Sequence, residues 1–143
     1  MAKILIINGP NLNLLGTRET DTYGVMSLQE IENQCVKNFP KHHISFFQSN
    51  IEGELIDAIQ RTNAEAVVLN AGGYTHTSVA IRDAIAASEL PVVEVHISNI
   101  SARESFRHTS LLSPVCAGVI FGFGVDGYGL AIVASLRLLG YDF

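Results

Sequence analysis

A chain of 143 residues in which 48% are hydrophobic and 16% charged has both the length and the apolar content for one domain with a real core, which excludes a disordered chain. A net charge of −5 argues against a general grip on nucleic acid. The hydrophobic share also leaves room for surface buried between subunits.

Residues 3–8 predict the first strand, whose apolar run Ile4 to Ile7 is too short for the core of an export signal. A loop from Asn8 to Arg18 follows and runs on to Tyr23 and Gly24; it is rich in amides and glycines. Ser27 then opens a helix, with Glu30 three residues on as in a capping box. Leu28, Ile31, Cys35 and Phe39 form its buried stripe. Residues 44–48 predict a second strand and 53–62 a helix with Leu55, Ile56 and Ile59 inward. Residues 66–70 predict a third strand. Thr77 or Ser78 caps a helix that runs to about Ser88. Residues 92–96 predict a fourth strand, and the crossover 101–114 is irregular, with helix only in its middle. Residues 117–121 predict a fifth strand and 129–139 the last helix. The apolar stretch around that fifth strand is glycine-broken and well short of the roughly 20 residues of a spanning helix, so a soluble, cytoplasmic protein is expected with no membrane partner. Cys35 and Cys116 are too few for a disulfide framework and read as buried, reduced thiols.

Most of these strands are continuously apolar, as in a parallel sheet covered on both faces. Strand–helix alternation along one domain, residues 1–143, therefore implies an α/β fold: a three-layer, doubly wound, five-stranded parallel sheet of flavodoxin-like size. Ligands of such sheets bind beyond the carboxyl ends of the strands. Asn11, Asn13, Arg18 and Tyr23 follow the first strand, and Gln48 to Asn50 close the second. Asn70, Tyr74 and His76 come at the third, and His96, Ser98, Asn99, Arg103 and Arg107 at the fourth. The chemistry gathers on one edge.

An ionised tyrosine at pH 7 costs about 4 kcal/mol, and one cation about 4 Å away at an effective dielectric near 20 returns about as much. Arginines near Tyr23 make a phenolate base thermodynamically reasonable, although spacing alone favours a structural tyrosine. His96 ends its strand, and Glu94 points to the same face two residues back, which suits a general acid. His76 reads equally as a hydrogen-bonded surface histidine, and His42 and His43 as structural. No metal-ligand spacing, nucleophile elbow or lysine among the polar loops is present. Gly122, Gly124 and Gly127 match a dinucleotide fingerprint, but they follow the last strand; a tight turn with close packing is the better reading.

Taken together, residues 9–19 with Tyr23-Gly24, 48–53, 73–83, 94–99 and 103–108, in this order and over essentially the whole chain, resemble type II 3-dehydroquinate dehydratase. The resemblance implies conversion of 3-dehydroquinate to 3-dehydroshikimate in the shikimate pathway. It makes Tyr23 the base that removes the C2 proton, and Arg18 the cation that favours its ionised form. Asn11 would hold a water at the enolate oxygen. His96, backed by Glu94, would protonate the departing C1 hydroxyl. Main-chain donors at Ile97 and Ser98 would take the substrate carboxylate. Asn70, His76 and Arg107 would hold ring hydroxyls, while Asp83 would reach a neighbouring subunit. The resemblance further implies a homododecamer built of trimers and no cofactor or metal. Thr20 and Gly73 depart from the proline and alanine common at those places, which bears on lid motion rather than on the reaction. The competing reading is a flavodoxin-like module that binds a phosphate or nucleotide.

Overall fold

A computed structural model describes residues 1–17 and 19–142. Its five strands are β1 (Lys3–Asn8), β2 (His43–Gln48), β3 (Ala66–Asn70), β4 (Val92–His96) and β5 (Gly118–Phe121). They are all parallel, in the order β2-β1-β3-β4-β5. Successive side chains of a strand point to opposite faces, and both faces of β1 are apolar for that reason. Ile4 and Ile6 join one core with Val68, Val95, Tyr128 and Ile132, while Leu5 and Ile7 join a second with Leu55, Ile59, Leu69 and Ile81. The first core lies under α2 (Leu28–Asn38) and α5 (Asp126–Leu138), and the second under α3 (Glu52–Arg61) and α4 (Val79–Ala87). The three-layer, doubly wound architecture is the one that the alternation implies.

Local chemistry sets the helix starts. Ser27 Oγ accepts the Glu30 N–H at 3.1 Å while the Glu30 carboxylate accepts the Ser27 N–H at 3.3 Å, so the capping box forms. Ser78, not Thr77, caps α4, its hydroxyl accepting from Ile81 N at 2.9 Å. Within the predicted stripe of α2, Ile31 and Cys35 are buried, with Leu28 and Phe39 partly so.

Three expectations need correction. The helix expected over 129–139 starts earlier, at Asp126, because Gly127 has no side chain: a Cβ there would lie 3.2 Å from Val95 Cγ2, so glycine lets the first turn lie directly on β4. The crossover 101–114 forms 3-10 turns (Ile100–Ala102, Ser105–Arg107, Ser113–Val115) instead of an α-helix. Side-chain acceptors on Asn99 and Ser110 take the N–H groups that a helix would use, and Pro114 supplies none. Cys116 is only half-buried, since it precedes an edge strand; its thiol is nonetheless pushed up to about 12, by burial and then by the Glu94 charge. One α-helical element went unforeseen: a single turn, α1 (Thr20–Tyr23), which carries Tyr23.

Gly9 shows how tightly the site's first loop is held. Its N–H donates to Asn70 O at 2.7 Å, and a Cβ would stand 2.6 Å from the Ala71 carbonyl oxygen. Backbone cannot yield as a side chain does. Gly9→Ala should therefore destabilise the protein by about 1–3 kcal/mol, read as a lowered melting temperature; an unchanged one would show the two loops to be loosely coupled.

Candidate active site

The sheet register aligns Asn8 with Gln48 on one side and with Asn70 on the other, so the polar ends of three strands form one rim. Beyond that rim, and past the end of β4, opens a cleft of about 90 Å³.

Behind its wall lies Glu94, wholly buried on β4. Oε2 lies 2.5 Å from His96 Nε2, and Oε1 accepts from Ser113 Oγ at 2.6 Å and from Ser110 Oγ at 3.1 Å. Burial pushes this carboxyl up, but hydrogen bonds from His96 and Ser113, the imidazole's charge and then Ser110 outweigh it and hold the group below its ordinary value of 4.5. The carboxylate accepts Nε2–H of His96, which leaves Nδ1 as the ring nitrogen available to the cleft. His76 stacks against His96, ring centres 6.4 Å apart and planes 18° from parallel. His76 Nδ1 donates to Thr109 O at 2.8 Å, because a carbonyl has no proton to give, and Nε2 remains as its acceptor.

Across the cleft, Arg103 Nη1 donates to the Tyr23 hydroxyl oxygen at 2.7 Å, with its guanidinium carbon 5.2 Å from the ring centre. The same nitrogen lies 3.3 Å from Ser98 Oγ. A guanidinium offers only donors, so the Tyr23 oxygen is the acceptor in this contact.

The amide of Asn70 is fixed from behind. Oδ1 accepts from Gly72 N at 3.2 Å, which turns Nδ2 toward Tyr128 Oη at 3.0 Å; Tyr128 in turn donates to Asn8 Oδ1 at 2.5 Å. Burial pushes the Tyr128 phenol far up, so it stays a neutral donor. One N–H of Asn70 is left for the cleft. Asn11 sits in the left-handed region (φ 69°), held there by its N–H on Asn50 Oδ1 at 2.9 Å. Gln48 Nε2 bonds that same oxygen at 3.2 Å and Gly9 O at 3.2 Å.

Of the residues singled out in the sequence, Asn11, Tyr23, Asn70, His76, His96, Ile97, Ser98 and Arg107 all border the cleft, with Glu94 directly behind His96. Arg107 also donates to Glu104 at 2.6 Å from Nε. Asp83 does not border it: this carboxylate is exposed on α4, 3.0 Å from Arg82 Nη1. Arg18 lies outside the described residues. Thr20 opens α1, and beyond Gly73 a Cβ would meet open space. Sequence reasoning assigned no role to Arg103, although it stands in the 103–108 motif four residues before Arg107 and donates to Tyr23. His42 is structural as read, accepting from Ala2 N at 3.0 Å. Among the described residues no group of three or more acidic, histidine or cysteine side chains is placed to hold a metal, and no helix is long and apolar enough to cross a membrane.

Comparison with known proteins finds one matching family model, described as Dehydroquinase class II, over residues 2–136. A protein of a Nitratiruptor species named 3-dehydroquinate dehydratase is 56% identical over 141 residues, covering 95% of this chain and 90% of that protein. One of the same name from an Exiguobacterium species is 57% identical over 137 residues, 94% of each. The crystal structure of type II dehydroquinase from Butyrivibrio crossotus superimposes with a TM-score of 0.91 at 44% identity, over 94% of this chain and 97% of that one.

Proposed function

The chain belongs to the class II dehydroquinase family, and from that membership we propose that it dehydrates 3-dehydroquinate to 3-dehydroshikimate, a step of the shikimate pathway, by acid–base elimination. One observation carries this reading: a single cleft faces a tyrosine oxygen capped by a guanidinium at 2.7 Å and an imidazole capped by a buried carboxylate at 2.5 Å.

The C2 proton lies α to a ketone, so its removal leaves an enolate rather than an isolated carbanion. Tyr23, as phenolate beside Arg103, takes that proton, and Arg18 serves as a further cation that favours the ionised form. Asn11 holds a water that donates to the enolate oxygen. The enolate then collapses: a C1–C2 double bond forms, the C1–O bond breaks, and His96 gives its Nδ1 proton to the departing hydroxyl, which leaves as water. The Tyr23 proton and the missing His96 proton are exchanged with solvent to reset the site. Main-chain donors at Ile97 and Ser98 take the carboxylate, and Asn70, His76 and Arg107 hold the ring hydroxyls. No step calls for a cofactor.

Residues 1–143 act in this reading as one catalytic domain, working in the cytoplasm. Trimers build a dodecamer in which Asp83 reaches a neighbour's cleft; its exposure on α4, together with exposed Val25, Val79 and Phe106, supports surface left over for subunit contacts. Adding purified protein to 3-dehydroquinate should produce the ultraviolet band of the conjugated product. A protein that gives no band, yet melts at higher temperature with flavin or nucleotide, would be a binding module instead.

A further inference from the structure

Residues 109–113 touch the hydrogen-bonding partner of both imidazoles. Thr109 O accepts from His76 Nδ1 at 2.8 Å. Ser110 Oγ accepts the N–H groups of Leu112 at 3.1 Å and Ser113 at 3.0 Å, which fills both its lone pairs and sends its one hydrogen to Glu94 Oε1. Ser113 donates to the same carboxylate oxygen, leaving Oε2 to His96. The strap is pinned by Leu112, which is fully buried, and by the bond from Leu111 N to Thr75 O at 2.9 Å, one residue before His76.

We propose that Ser110 and Ser113 are positioning residues for the reaction: through Glu94 they hold His96 with its Nε2–H turned inward and Nδ1 toward the substrate, while Thr109 sets the tautomer of His76. This rests on reading His96 as the acid. The hydroxyls spread the Glu94 charge over three donors. Without them the carboxylate keeps more of its charge for the inward proton and grips it harder, so the imidazole delivers its other proton less well. The titratable and charged groups facing this pair are His76 across the ring stack, Cys116 near the carboxylate, and Arg103 beyond Ser98.

Four variants test this: Ser110→Ala, Ser113→Ala, the pair together, and Ser113→Thr, which restores a hydroxyl. The double variant should lose about ten-fold in kcat, a fraction of what a positioned acid supplies, with KM changed less than about two-fold. Its alkaline limb, which belongs to the Glu94–His96 pair, should move to higher pH, and Ser113→Thr should recover most of the loss. Imidazole nitrogen NMR, read without turnover, should show His96 signals displaced in the double variant and those of His43 unmoved. A folded double variant with wild-type kcat, pH profile and His96 signals overturns the proposal. Should the double variant fail to fold, Ser113→Ala alone carries the same readings. If His96→Ala kept full turnover, the acid reading would fall by itself. The strap would then be judged on the nitrogen signals alone, upheld by their displacement and overturned by its absence.

Discussion

Tyr23→Phe should lower kcat by about 10²–10⁴-fold or more, the range that a positioned proton-transfer group contributes, while leaving the melting temperature close to that of the parent. The substitution removes one oxygen and keeps the ring that packs against the core. α1 does not depend on that oxygen, since its turn closes through Gly24 N on Thr20 O at 2.8 Å. Arg103 keeps Ser98 Oγ at 3.3 Å as a partner. Loss of turnover in a folded protein is thus loss of the base. Initial rates beside circular dichroism measure both, and near-normal turnover would remove Tyr23 from the mechanism.

Glu94→Gln should be nearly as damaging, and for a different reason. The amide oxygen can still accept from Ser110 and Ser113, so the shape is kept. Its nitrogen, however, then donates toward His96 Nε2, and the ring must turn that nitrogen into an acceptor and carry its proton on Nδ1. A neutral imidazole in that tautomer, with no negative partner, is a poor acid, and kcat should fall by about 10²–10⁴-fold, as happens where an amide replaces the carboxylate behind a catalytic histidine. The same substitution alters acid stability, with a definite sign. The Glu94 carboxyl is lowered on folding, so its stabilisation is complete above the ordinary 4.5 and is lost as pH falls through its lower folded value. Melting measured from pH 6 downward should decline through that window in the parent and less steeply in the variant. Equal rates, or parallel acid profiles, would contradict the role given to Glu94.

The fold was largely readable because period and burial agree. Continuous apolar runs such as Ala66–Asn70 and Val92–His96 are what a doubly covered parallel strand requires, and both emerge with the predicted bounds. Strand ends then locate the site without knowledge of any contact: Asn70 and His96 are the last residues of their strands and Asn11 lies just past β1. Legibility failed where side chains replace the backbone pattern. The 101–114 crossover has no period because Ser110 and Asn99 satisfy its N–H groups, and so spacing cannot say which of Arg103 and Arg107 meets Tyr23. Tyr128 drew no reading from the sequence, since its hold on Asn70 spans 58 positions and appears only once the sheet is assembled. α5 was placed late since Gly122, Gly124 and Gly127 read together as a tight turn, whereas Gly127 lies in the helix and serves helix–strand contact.

The central claim is that proton transfers between Tyr23, His96 and a bound carbocyclic ketone, with no bond to the protein, carry the reaction. It is tested most directly by treating the protein with 3-dehydroquinate and borohydride, dialysing, and then measuring both activity and mass. Among the described residues no lysine borders the cleft, so full activity and an unchanged mass are predicted. Irreversible inactivation with a substrate-sized gain in mass would show an imine intermediate and contradict the account.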